Sequence, residues 1–206
     1  MKIAVVDSGI HAGHAHVGAV AGGIAVTADG FSDDTVDRLG HGTAVAGAIR
    51  EKIPEADLYA VKIFDRRLSA EIDTITRAIA WCIENGMDLI NLSLGTANPA
   101  HRERFERVLV PYVVMVSVAD LLPGSLPGVI AAAVEDCPRD QFRYRDGVFY
   151  ASPYPRPIPG VPPERNLQGS SFAVANMTGF AAQALKTVPP EAVRAELIRL
   201  AEARSR

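Results

Sequence analysis

Asp7 ends a short apolar run, Ile3-Ala4-Val5-Val6, and is followed by Ser8-Gly9. His41 opens the run Gly42-Thr43-Ala44-Val45-Ala46-Gly47, whose small residues can share one helix face. Ser171 follows Gly169-Ser170 and precedes Phe172-Ala173. A serine hydroxyl is a weak nucleophile until a base takes its proton. A histidine can do that, and a carboxylate fixes the histidine's tautomer and stabilises its charge. Each group also has a plain structural role. An Asp after a strand caps a turn, a His can simply open a helix, and Ser170 and Ser171 are good helix N-caps. Together they can supply a nucleophile, a general base and an orienting anion, the set that acyl transfer uses. Ser171 at a helix N-terminus would add a positive dipole end where negative charge develops.

Positioning three such groups requires a scaffold, and the sequence spells one out. Ile3–Val6, Asp57–Ile63, Asp88–Leu92, Tyr112–Ser117 and Val129–Val134 read as strands, several of them near-continuous apolar runs. Helices are expected over Gly42–Glu51, Ala70–Glu84, Pro99–Val108 and Ser171–Leu185, with an amphipathic helix after Pro189-Pro190. Ile72, Ile75, Ile79 and Ile83 recur at helical spacing, and Asn85-Gly86 stops that helix. Tyr144–Tyr150 reads as a hairpin around Asp146-Gly147. The proline-rich stretch from Ser152 to Pro163 is expected to be a stiff surface loop. Strands alternating with helices predict an α/β fold with a parallel sheet covered on both faces. Asp7 then stands at the carboxyl end of a strand, where open α/β sheets build their sites.

Composition narrows the function classes. The chain has 206 residues, 48% of them hydrophobic, and 21 Lys and Arg against 24 Asp and Glu give a net charge of -3. This is a globular, ordered composition of single-domain size. An isoelectric point near 6.0 argues against a nucleic-acid partner. No apolar run approaches the roughly 20 residues of a membrane helix, so no membrane role is expected. The two cysteines, Cys82 and Cys137, suggest no disulfide framework and no metal site, and read as small buried hydrophobes. The start of the chain lacks the features of a secretory signal, and a cytoplasmic location is expected. No glycine-rich phosphate loop follows the first strand, which argues against a nucleotide-binding protein. His11, His14 and His16 have chelating spacings but lack other ligands, and are expected to pack in a loop or against the cleft. Trp81 is assigned to the core and His101 to a solvated helix face.

Five segments together resemble the subtilisin-type serine proteases (subtilases, peptidase family S8). They are Val5–Ile10, His41–Gly47, Leu58–Lys62, Met87–Gly95 and Gly169–Ala173. The Asp, His, Ser chain order is the subtilisin one. The resemblance spans Ile3 to about Leu185. It implies a three-layer α/β/α fold with a mainly parallel central sheet. It implies Asp7 as orienting anion, His41 as general base and acid, and Ser171 as nucleophile. Ser93-Leu94-Gly95 would pair with substrate backbone and form one wall of the primary specificity pocket, with Ser117-Val118-Ala119 opposite. The oxyanion hole would comprise the Ser171 N–H and Asp120.

Asp120 is a departure, because relatives usually place an Asn there. An ionised carboxylate repels an oxyanion; a protonated one donates, if burial or a nearby anion raises its pKa. In subtilisin itself, losing this donor costs about 10²–10³ in rate. Val118 and Ala119 are bulkier than their usual counterparts and should narrow the pocket. Ala44 stands where a second, non-catalytic His is common, and Val174-Ala175-Asn176 replaces Ser-Pro-His. Glu51–Ala56 is contracted where relatives often bind calcium and offers too few oxygen ligands. The expectation is one minimal catalytic domain over 1–206, with no prodomain, metal or cofactor. It would be a serine endopeptidase acting on peptide or protein substrates, in a processing role such as leader removal. A separate partner protein could assist its folding. The alternative is a catalytically impaired module that uses the same cleft to hold a peptide.

Overall fold

The computed structural model describes residues 1–204. Nine strands form one sheet in the order β3-β2-β4-β1-β5-β6-β7-β9-β8. In chain order they are β1 (Lys2–Asp7), β2 (Gly22–Thr27), β3 (Gly30–Ser32), β4 (Asp57–Lys62), β5 (Leu89–Leu92), β6 (Val114–Val118), β7 (Ile130–Val134), β8 (Phe142–Arg145) and β9 (Val148–Ala151). Every pairing from β2 across to β9 is parallel, and only the edge strands β3 and β8 run antiparallel to their neighbours.

The helices are α1 (His41–Lys52), α2 (Ile72–Glu84), α3 (Arg102–Glu106), α4 (Ser170–Leu185) and α5 (Val193–Arg204). Successive side chains of a strand point to opposite faces, and β1 shows the consequence. Ile3 and Val5 enter one core with Val45 and Ile49 of α1, Met177 of α4 and Leu197 of α5. Ala4 and Val6 enter a second core with Ile75, Ile79 and Cys82 of α2 and Phe105 of α3. This is the three-layer α/β/α arrangement. It explains why the strands read as unbroken apolar runs, since both faces are covered. Helix α2 ends as its sequence indicates: Gly86 has φ 68°, its N–H donates to Ile83 and the Met87 N–H donates to Cys82. No helix among the described residues is long and apolar enough to cross a membrane.

Several expectations are corrected. Strands β2 and β3 were not anticipated, because Gly22-Gly23 weakens the apolar signal. Gly23 is needed there, since a Cβ would collide with the Ala60 carbonyl of β4. The helix expected over Pro99–Val108 is a 3-10 turn, Pro99–His101, followed by the five-residue α3. The hairpin forms as expected, with Asp146 and Gly147 both at positive φ, but β9 also joins β7 and extends the sheet. The proline-rich stretch is a surface loop only in its second half. Ser152, Pro153 and Pro155 are buried, and Asn176 of α4 donates to the carbonyls of Ser152 and Tyr154. Cys82 is buried but Cys137 only half so, and Trp81 packs half-buried against the α2 core.

Candidate active site

Strand β1 lies between β4 and β5, with later strands distributed to either side, so crossover connections part at its carboxyl end. Asp7 sits there, 0% exposed. Its Oδ1 accepts from the Ser8 N–H at 2.7 Å and lies 2.7 Å from His41 Nδ1. Its Oδ2 has no partner among the described residues. Gly42 permits this approach of α1 to β1. A Cβ there would collide with the Gly9 carbonyl and stand 3.2 Å from Asp7 Cβ.

The first turn of α1 carries His41, and Gly40, its N-cap, has no side chain to cap it. Asp37 takes over that role. It accepts from the N–H groups of Leu39, Gly40 and Thr43 at 2.8–3.0 Å. It also accepts from the hydroxyls of Thr43 at 2.6 Å and Ser8 at 2.8 Å. Ser8 Oγ in turn accepts from the Gly42 N–H at 2.9 Å. Burial alone would raise the Asp37 pKa, but the hydrogen bonds led by Thr43 outweigh it and the carboxyl lies below its ordinary value. For His41, burial opposes the charged ring. The hydrogen bond and charge of Asp7, with the charge of Asp37, overcome it and raise the imidazole above its ordinary value. The sequence reading missed Asp37. The signal was present as an acidic residue ahead of a helix start with Thr43 in its first turn.

Ser171 is the second residue of α4, where an α-helix leaves the N–H without an internal partner. Its Oγ donates to the carbonyl of Ser93 at 3.3 Å, and Ser93 Oγ donates to the carbonyl of Ser171 at 2.9 Å. Behind them, Asn91 Nδ2 of β5 donates to Ser93 Oγ at 2.9 Å, and Thr178 Oγ1 of α4 donates to Asn91 Oδ1 at 2.8 Å. Asn91 and Thr178 are fully buried. A polar residue inside the apolar strand Leu89-Ile90-Asn91-Leu92 was the available sign of this network. The Phe172 ring lies 5.6 Å from the His41 ring.

His41 and Ser171 line one cleft of about 390 Å³ with Ser93, Leu94, Gly95, Ile75 and His101. No hydrogen bond joins Ser171 Oγ to His41 among the described residues; such contacts often form only when substrate binds. His101 is half-buried rather than solvated, and its Nδ1 is buried without a partner. Ser117 is buried and its Oγ donates to the Leu94 carbonyl at 3.0 Å, tying the two expected pocket walls together. Val118 is half-buried and Ala119 buried. Asp120 is exposed, with neither hydrogen bond nor ion pair among the described residues. His11, His14 and His16 stack edge-on with centroids 6.4 and 5.2 Å apart. No group of three or more His, Cys, Asp or Glu among the described residues is arranged to hold a metal ion.

The subtilase family model matches residues 1–135. Minor extracellular protease Epr of Bacillus subtilis (strain 168) is 40% identical over 107 residues, which are 48% of this chain but only 16% of that protein. Subtilisin DY of Bacillus licheniformis is 26% identical over 221 residues, covering 92% of this chain and 78% of its own. A cold-adapted subtilisin-like serine proteinase shares the fold at TM-score 0.73 and 18% identity, over 96% of this chain and 81% of the other. The prenylagaramide maturation protease PagA does so at TM-score 0.63 and 23% identity, over 90% and 75%. With the match extending over most of the sheet and through both the Asp7 and the His41 segments, the chain belongs to the subtilase family.

Proposed function

We propose that the protein is a serine endopeptidase working through Asp7, His41 and Ser171. The observation that carries the reading is the buried Asp7–His41 pair facing the cleft that Ser171 also lines. Asp7 Oδ1 holds the Nδ1 proton, which leaves Nε2 as the base. Ser171 Oγ attacks the peptide carbonyl carbon while Nε2 takes its proton. The Ser171 N–H, at the positive end of α4, stabilises the oxyanion. Collapse breaks the C–N bond, and the departing amine takes the proton from His41. Water then resolves the acyl-enzyme through the same base.

We further propose a processing role, trimming a segment from a ribosomally made peptide in the cytoplasm. PagA, a maturation protease by name, shares this fold, and Cys82 and Cys137 are both free thiols. A second reading, a peptide-holding module without turnover, is favoured by one contact: Ser171 Oγ donates to Ser93 rather than to His41. A fluorophosphonate probe separates the two. The native protein should be labelled and the Ser171→Ala variant should not; an unlabelled native protein refutes the peptidase. Cell fractionation with an untagged chain tests the location, and recovery outside the cytoplasm overturns it.

A further inference from the structure

The two walls expected to flank a substrate side chain are the ends of β5 and β6, neighbours in register with Leu92 opposite Ser117. After β6 the chain turns back at once. The Leu121 N–H donates to the Val118 carbonyl, and Leu122 exchanges both backbone hydrogen bonds with Thr96 at 3.0 Å. Gly124 is pressed so closely on the Val118 carbonyl that it has no room for a Cβ. This short return carries Leu121 against the opposite wall. A Cβ placed on Gly95 would lie 2.5 Å from Leu121 Cβ, 3.0 Å from its Cδ1 and 3.3 Å from its Cγ. With Leu121 in this position, Gly95 has no room for a Cβ.

We infer that Leu121, seated on Gly95, closes the slot between the two walls and restricts the residue that supplies the scissile carbonyl to small side chains, glycine or alanine. The inference rests on the peptidase reading for its chemistry. Its steric content does not depend on turnover. Leu121 is half-buried, and where it sits it takes the volume that an aromatic or branched substrate side chain would need. Leu121 lies outside both expected walls, which is why the walls' own composition did not reveal it.

The test uses peptides identical except for Gly, Ala, Leu or Phe at that residue. The native protein should cleave the Ala peptide at least about tenfold better than the Phe peptide in kcat/KM. Leu121→Gly and the milder Leu121→Ala should each shift that ratio toward Phe by about tenfold or more. A variant that the fluorophosphonate labels has kept its reacting groups, and the ratio is read in labelled variants. Equal cleavage of Phe and Ala by the native protein, or an unmoved ratio in two labelled variants, overturns the inference. If the native protein is not labelled, the chemistry has failed and the slot is read by binding alone. Calorimetry with the Ser171→Ala protein and product peptides ending in Ala or Phe should then favour Ala, and equal affinities overturn the inference.

Discussion

Ser93 and Ser171 hold each other reciprocally, each hydroxyl donating to the other's carbonyl, at 2.9 and 3.3 Å. The end of β5 is thus tied to the start of α4, and the buried Asn91–Thr178 pair backs the tie. Ser93→Ala should leave Asn91 Nδ2 without its acceptor and let Ser171 drift. Stability should fall by about 1–3 kcal/mol in urea unfolding. The acylation rate in single-turnover kinetics should fall by about tenfold or more, since small misplacements of reacting groups are costly. An unchanged acylation rate in a destabilised protein would reduce the tie to a structural role.

Asp37 acts on His41 through charge as well as position. In the proposed reaction His41 must be neutral to accept the Ser171 proton, and its pKa is raised above 6.5. The acid limb of kcat/KM against pH should therefore lie above 6.5. Asp37→Asn removes one of the raising charges and should move that limb to lower pH. A limb that stays in place would show that Asp7 alone sets it.

The same groups give opposite stability slopes. The raised His41 contributes stability that is complete below its unfolded value of 6.5 and is lost as pH rises through the folded value. The depressed Asp37 contributes stability present above its unfolded value of 3.8 and lost as pH falls through the folded value. Asp37→Asn should flatten the acid side of the Tm–pH curve, and a curve parallel to the native one would contradict this.

Lys52 is only 6% exposed at its side chain. Its Nζ lies 2.5 Å from Asn176 Oδ1 and 5.3 Å from the Phe180 ring centre. Burial pushes its pKa down from 10.5 to about 8. The unfolded chain binds this proton more tightly, so stability should rise with pH across that window. Relative to Lys52→Met, the native protein should gain on the order of 3 kcal/mol between those limits. Parallel Tm–pH curves for the two proteins would rule this out.

Asp120 is exposed on the turn after β6, and its side chain is a carboxyl group rather than an amide. Asp120→Asn should raise kcat by up to about 10²-fold with little change in KM, if the new amide reaches the oxyanion. An unchanged kcat would mean that another donor already fills that place.

Much of the scaffold was legible because its signals are local. The apolar runs of β1, β4, β5, β6 and β7, the isoleucine stripe of α2 and the Asp146-Gly147 turn each depend on neighbours within one element. What failed had weak or conflicting local signals. Gly22-Gly23 hides a strand that only β4 makes worthwhile, and Pro99–Val108 lacks the length to sustain a helix without packing. His101 looked solvated because nothing nearby in sequence shows that the cleft lies over it.

The sequence by itself marked the candidate reacting groups: residue type, chain order and flanking glycines singled out Asp7, His41 and Ser171, because a serine nucleophile needs a base and that base an orienting anion. Only the tertiary structure decided how those groups and their surroundings are held. Asp37 under α1, the Thr178–Asn91–Ser93 relay and Leu121 against Gly95 are contacts between different elements of the fold. Their distances follow from how the sheet and helices pack, and no local pattern encodes them.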